Sequence, residues 1–304
     1  MSDLPRLLLL ANRTIPQVSQ TLEEFRPWLD QRAQIVAEPP IDQLSRQAAA
    51  DLPKADLAVV FGGDGTLLAQ ARHLVDLEIP LVGVNFGKLG FLAEFSLDDL
   101  KQHWDKVVSG QCRTSQRVMI EASVLSGPDG KSEADGANAD ESSDLEYASV
   151  AMNDVVITAG PPFRMIELEL AIDPQRWASS ATTLSCDGVI VGTPSGSTAY
   201  NLAAGGPIVS PELDAFCVTP ICPHSLAFRP IVISSESQIR ILILRANEGT
   251  TLVIDGQESI KLRPQQVVAI RRYEKSIRLI QNPQLNPWKV LAKKMRWAAR
   301  PRRI

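Results

Sequence analysis

The chain has 304 residues, 44% hydrophobic and 22% charged, with a formal net charge of −4. That length and balance suit a globular protein with two full cores, and the slight acidity argues against non-specific nucleic-acid binding by the whole molecule. Cys112, Cys186, Cys217 and Cys222 form no Cys-x-x-Cys pair, which argues against a disulfide framework and for a reducing compartment.

Leu7–Leu10 is too short for a signal-peptide core or a membrane span and reads as a first strand. A cytoplasmic location with no membrane partner is therefore expected. Up to about residue 110 the pattern alternates: Leu7–Ala11 strand, Ser19–Ala33 helix, Leu57–Phe61 strand, Leu67–Val75 helix, Pro80–Val84 strand. Short apolar runs between helical segments predict an α/β domain with a parallel sheet over residues 1–110.

Between the second of these helices and the strand before it lies Gly62-Gly63-Asp64-Gly65-Thr66. Three glycines around one carboxylate let the backbone approach a phosphate, with N–H groups pointing at it. Asp64 there suits a group that accepts a proton from an attacking hydroxyl or helps hold a metal. The same residues also make a good tight turn. No Gly-Lys-Ser/Thr follows, so this is not a Walker A loop, and the Gly-x-Gly-x-x-Gly spacing of a dinucleotide fold is missing too.

After residue 110 the character changes. Met119–Leu125, Val155–Thr158, Met165–Ile172, Val189–Gly192, Ile231–Ser234, Ile239–Leu244, Thr251–Ile254, Val267–Arg272 and Ile277–Ile280 are short and β-branched. They predict a β-rich domain of antiparallel strands over residues 111–284. Ser126–Glu146 is acidic and poor in large apolar residues, and reads as a mobile loop between two strands.

Within this domain, Asp187 through Tyr200 runs from a strand through Pro-Ser-Gly-Ser-Thr into a helix near Ala199–Ala204. Ser195, Ser197 and Thr198 sit at the start of that helix, where hydroxyls either cap it or hold a polar ligand. Tyr200 either stacks on a base or fills core. Asn153-Asp154 opens another strand and is either a turn former or a ribose contact. Cys217, Cys222 and His224 match no zinc spacing, and Ser195 lacks a Gly-x-Ser-x-Gly elbow. The basic stretch 285–304 interleaves Trp288, Leu291, Met295 and Trp297 with its charges, and reads as a helix docked by those apolar residues.

Taken together these segments resemble the NAD kinase family. The resemblance rests on Gly62–Thr66, on Gly83-Val84-Asn85-Phe86-Gly87-Lys88-Leu89-Gly90-Phe91-Leu92, on Asn153-Asp154, and on Asp187–Tyr200 continuing to Gly205-Gly206-Pro207-Ile208-Val209. Thr219–Leu226 with Arg229-Pro230 adds a fifth block. Gly-Gly-Asp-Gly-Thr is shared with lipid kinases; the Thr-Pro-Ser-Gly-Ser-Thr-Ala-Tyr block decides between them.

The resemblance implies transfer of the γ-phosphoryl of ATP to the 2′-hydroxyl of the adenosine ribose of NAD, in a crevice between the two domains. It implies Mg²⁺ or another divalent cation, with no protein ligand assigned, and a homo-oligomer, dimer or tetramer. Carried over by position, Asp64 becomes the proton acceptor, and Gly62, Gly63, Gly65 and Thr66 the phosphate-binding backbone. Asn153 and Asp154 bind the adenosine side. Asp187, Ser195, Thr198, Ala199, Tyr200, Asn201, Leu202 and Ala203 line the rest of the dinucleotide pocket, with Arg164 and Gln257 at further binding positions. Ser185 stands where many bacterial members that prefer NAD over NADH carry a basic residue, so the resemblance leaves NADH use open. A lipid kinase and a non-catalytic dinucleotide sensor are the competing readings. The first lacks an anchor here, and the second has no need of Asp64.

Overall fold

Leu7 to Leu10 are apolar and fully buried, so the first strand must be covered on both faces. The computed structural model, which describes residues 4–87, 90–127, 145–176 and 181–295, builds that cover in an alternating series. Strand β1 (Arg6–Ala11) leads into α1 (Pro16–Asp30), which starts on a proline and buries Val18, Leu22, Phe25 and Leu29 at helical spacing. Then come β2 (Gln34–Ala37), α2 (Arg46–Ala50), β3 (Leu57–Phe61), α3 (Asp64–Leu74), β4 (Pro80–Val84), α4 (Leu97–Val108) and β5 (Thr114–Arg117). Helix α4 is fixed by a capping box between Ser96 and Asp99 and buries Leu100, Trp104 and Val107.

The chain next makes an antiparallel sandwich. It comprises β6 (Ile120–Leu125), β7 (Leu145–Ala151), β8 (Asp154–Thr158), β9 (Ile166–Ile172), β10 (Thr182–Cys186), β11 (Gly188–Gly192), the single-turn α5 (Tyr200–Ala203), β12 (Ala215–Ile221), β13 (Ile231–Ser234), β14 (Ile239–Arg245), β15 (Thr251–Ile254), β16 (Glu258–Lys261) and β17 (Val267–Arg272). One sheet has the order β10-β9-β14-β17-β6-β7, the other β13-β12-β11-β8-β15-β16. Alternate residues of the first, such as Ile239, Ile241 and Ile243, pack on Val155, Ile157, Val189, Val191 and Phe216 of the second.

Strand β18 (Ile277–Ile280) then returns to the first sheet, parallel to β4, giving the order β2-β1-β3-β4-β18-β5; helix α6 (Pro287–Met295) follows. The chain thus divides into two compact units, one of residues up to Gln116 together with those from Ile277 onward, the other Arg117–Ser276.

The sequence reading placed Ile277–Ile280 in the β-rich domain; the structure pairs it with β4 in the other unit, because composition reveals a strand but not its partner. Helix α3 starts at Asp64 rather than Leu67, which makes Asp64, Gly65 and Thr66 its first turn. The loop expected at Ser126–Glu146 ends sooner, since Leu145 and Glu146 already belong to β7. Residues 128–144, and Trp297 in the tail, lie outside the described residues. Of the tail's apolar residues, Leu291 is buried and Met295 half-buried, while Trp288 is 60% exposed.

Candidate active site

In the first unit, β3 delivers the chain into Gly62, whose N–H donates to Val84 O at 3.0 Å. A Cβ on Gly62 would stand 2.6 Å from Thr66 Oγ1, so that glycine is required by the turn itself. Gly63 and Gly65 are different: a Cβ there would meet nothing within 4 Å, and neither has a positive φ. No contact within the protein therefore demands glycine at either position. The first intrahelical bond of α3 runs from Leu67 N–H to Gly63 O. The N–H groups of its opening turn therefore lie at the positive end of the helix.

Asp64 is the first residue of that helix and half-buried. Its carboxylate accepts three backbone hydrogen bonds: Phe91 N–H to Oδ2 at 2.7 Å, and Leu92 and Ala93 N–H to Oδ1 at 3.1 and 3.0 Å. The 83–92 block was legible as a motif, but nothing in its spacing says that its amides meet Asp64.

In the second unit, the organising group is Asp255, which sequence reasoning passed over as mere context for Gln257. Asp255 and Gly256 both have positive φ (52° and 68°) within the three-residue turn 255–257 that joins β15 to β16, where Gln257 N–H donates to Ile254 O at 2.9 Å. The Asp-Gly pair was the available signal. The Asp255 carboxylate accepts from Met152 N–H (2.9 Å), Asn153 N–H (2.7 Å) and Asp154 N–H (3.0 Å), pinning the start of β8. Asp154 itself is buried, and its carboxyl is pushed up to about 7, first by burial and second by the charge of Asp255. Asn153 Oδ1 is buried with no hydrogen-bond partner. Such an atom suits a ligand donor.

The Thr193–Pro207 segment packs on the same corner. Thr193 donates its hydroxyl to Met152 O (2.5 Å) and accepts from Gly196 N–H (3.1 Å); Thr193 N–H donates to Asn153 O (2.8 Å). A Cβ on Gly196 would stand 2.5 Å from the Asn153 carbonyl carbon, so only glycine lets these two stretches meet. Ser197 does not cap a helix. Its hydroxyl donates to Pro194 O (2.7 Å) and accepts from Val209 N–H (3.0 Å). No side chain caps α5 or the 3-10 turn before it, so the capping alternative fails. These hydroxyls brace the loop instead.

Asn201, expected to line the pocket, is fully buried. Its amide donates to Pro207 O (3.0 Å) and Ser197 O (3.3 Å), and its Oδ1 accepts from the Thr219 hydroxyl (2.6 Å). Its side chain belongs to the framework. Tyr200 next to it is 46% exposed, and Ala203 is exposed as well. Asp187, Ser195, Thr198, Ala199 and Leu202 are half-buried. Ser195 accepts from the buried Arg117 at 3.4 Å, a neighbour that sequence reasoning missed. Arg164 and Gln257 are exposed side chains. Within this unit, then, Asn153, Asp154 and the 193–201 turn are bonded into one corner.

The comparisons with known proteins bear on both units. A model described as the ATP-NAD kinase N-terminal domain matches residues 10–112, and one described as the ATP-NAD kinase C-terminal domain matches 152–282. Among curated relatives, the NAD kinase of Geobacter metallireducens is 36% identical, covering 94% of this chain and 96% of its own length. That of Heliobacterium modesticaldum is 36% identical over 96% and 99%. Among solved structures, yeast NADH kinase complexed with NADH superposes with a TM-score of 0.79 at 24% identity, covering 100% of this chain and 91% of that one. An NAD kinase from Archaeoglobus fulgidus in complex with ATP gives 0.69 at 24%, over 96% and 98%. At such identity the two structures speak for the fold. With both domain models matched in order, and with relatives above 30% identity along nearly the whole length, the chain belongs to the ATP-NAD kinase family.

Proposed function

We infer that this protein is an ATP-dependent NAD kinase, transferring the γ-phosphoryl of ATP to the 2′-hydroxyl of the adenosine ribose of NAD to give NADP. The observation that carries the reading is the match of both family domains, in order, along one chain. The chemistry needs little covalent help from the protein: the attacking oxygen must be aligned with the γ-phosphorus, charge neutralised, and one proton removed. Asp64 is the proton acceptor in this reading. The bare backbone around Gly63 and Gly65 receives phosphate oxygens at the positive end of α3. Asn153 Oδ1, buried without a partner, and Asp154 beside it receive the adenosine side of NAD. Mg²⁺ enters with the substrate as Mg·ATP. Such an ion keeps waters and phosphate oxygens as most of its ligands and needs few from the protein.

Two further proposals accompany this one. The protein works as a homo-oligomer: β13 is an edge strand whose Ile231 and Val232 are 43% and 51% exposed, an apolar edge that a second copy would cover. It works in the cytoplasm, in keeping with four unpaired cysteines.

The test is NADP formation by purified protein from NAD and Mg·ATP, with NADH as a second acceptor and Asp64→Asn in parallel. Wild type is expected to make NADP, and the variant to lose about 10² to 10⁴ in rate. Protein that binds NAD but makes no NADP would sink the reading and favour a sensor.

A further inference from the structure

Asp64 does not stand free in its loop. Both carboxylate oxygens are engaged, and all three donors come from consecutive residues of one segment, Phe91, Leu92 and Ala93. The residue before them is Gly90. A Cβ at Gly90 would overlap Asp64 Oδ1 and lie 2.6 Å from Cγ and 2.8 Å from Oδ2. The position therefore tolerates no side chain while the carboxylate stays where it is.

The segment is itself anchored from several sides. Phe95 N–H donates to Gly83 O (3.1 Å) and Asn85 N–H to Phe95 O (2.8 Å), tying it to the end of β4. Asn282, buried just past β18, donates its N–H to Glu94 Oε2 (3.0 Å) and its amide to Glu94 O (3.2 Å). Lys294 of α6 places its ammonium 4.3 Å from the Phe91 ring.

We propose that the backbone of residues 90–93 is an amide cradle that positions the Asp64 carboxylate for the reaction, with Gly90 its deciding position and Asn282 its brace. Both are positioning residues that act through Asp64, and the proposal rests on Asp64 being the proton acceptor of the kinase reaction. A general base works by geometry first, and an error of an ångström at a reacting group costs on the order of 10²-fold in rate. The cradle also means that Asp64→Asn alone is ambiguous. The asparagine amide turns N–H groups toward the cradle's own N–H donors, so lost chemistry and lost geometry arrive together.

Gly90→Ala separates them, because it leaves the carboxylate intact and moves it. The expected result is a kcat about 10²-fold below wild type, with KM for NAD and ATP within about twofold. Introduced into Asp64→Ala enzyme, the same change should cost less than about twofold more, since no carboxylate remains to displace. A folded Gly90→Ala protein with wild-type kcat overturns the proposal, and so does an undiminished loss in the Asp64→Ala background. Should Gly90→Ala fail to fold, Asn282→Ala takes its place. Its kcat is expected to fall about tenfold, again only while Asp64 is present, and an unchanged or additive effect overturns the proposal. Wild type that makes no NADP, or Asp64→Ala as fast as wild type, removes the underlying reading and the cradle's role with it. NADP from wild type beside unaffected cradle variants removes the cradle alone.

Discussion

Asp255 and Asp154 lie within one corner of the second unit, and their surroundings set them apart. Three backbone N–H groups reach the carboxylate of Asp255, whereas no hydrogen bond reaches that of Asp154 among the described residues. Burial therefore dominates at Asp154 and raises its carboxyl from 3.8 to about 7. A raised carboxyl holds its proton more tightly in the native than in the unfolded chain. Its contribution to stability is complete below about pH 4 and is lost as the pH climbs through about 7. Asp154→Asn is neutral at every pH and escapes that loss. The unfolding free energy of the variant should thus exceed that of wild type by a margin that widens between pH 5 and pH 8, on the order of 2 kcal/mol. Urea titrations of ligand-free protein at the two pH values check this; a margin independent of pH would mean that Asp154 is ionised throughout. The same group near neutrality suits a ribose contact, because it can donate or accept at pH 7.

At the scale of elements, the 193–206 turn divides into residues that hold it and residues that face outward. Asn201→Ala leaves the Thr219 hydroxyl and the Pro207 carbonyl without their partner in a buried place, at about 1 to 3 kcal/mol for each group stranded. Tyr200→Ala, at a half-exposed site, should leave stability within about 0.5 kcal/mol but raise KM for NAD about tenfold if the ring stacks on the nucleotide. Thermal melts and steady-state kinetics on the two variants should therefore move in opposite columns; equal destabilisation by both would erase the division. Sequence reasoning had placed both residues in the pocket, because a motif names positions and not directions. It found β3, β4, β13 and β15 to the residue, since each is an apolar or β-branched run with turn chemistry at its ends. It missed β2 and α2, which are short and only partly buried, and β12, whose Pro220 interrupts the strand pattern. Helix α4 went unread although its Ser96–Asp99 capping box was present in the sequence. The cradle around Asp64 was out of reach for a different reason. It is made of main-chain N–H groups, which every residue but proline carries, so no letter in the sequence marks it.

For the whole molecule, the consequential feature is that the second unit is an insertion. The chain leaves the first sheet after β5, builds Arg117–Ser276, and re-enters as β18 between β4 and β5. The two ends of the insert lie side by side: β6 pairs with β17, Ile120 opposite Arg272, and Tyr273 N–H donates to Met119 O at 2.9 Å. Ends that close, with a sandwich core of its own, describe a unit able to fold after excision. The first unit has no such independence when cut at residue 116. It would lack Ile277, Leu279 and Ile280, all buried, and would have to hold β5 beside β4 with the strand between them gone. Residues 117–276 expressed alone should therefore melt cooperatively with a dispersed amide spectrum, while residues 1–116 alone should be unfolded or insoluble. Truncation of the full chain after Ser276 should behave like the second case, and truncation after Leu285, which keeps β18 and Asn282, should restore a folded protein. An unfolded 117–276 fragment would show instead that the sandwich depends on the first unit for its stability, and a folded 1–116 fragment that β18 is dispensable to the sheet it completes.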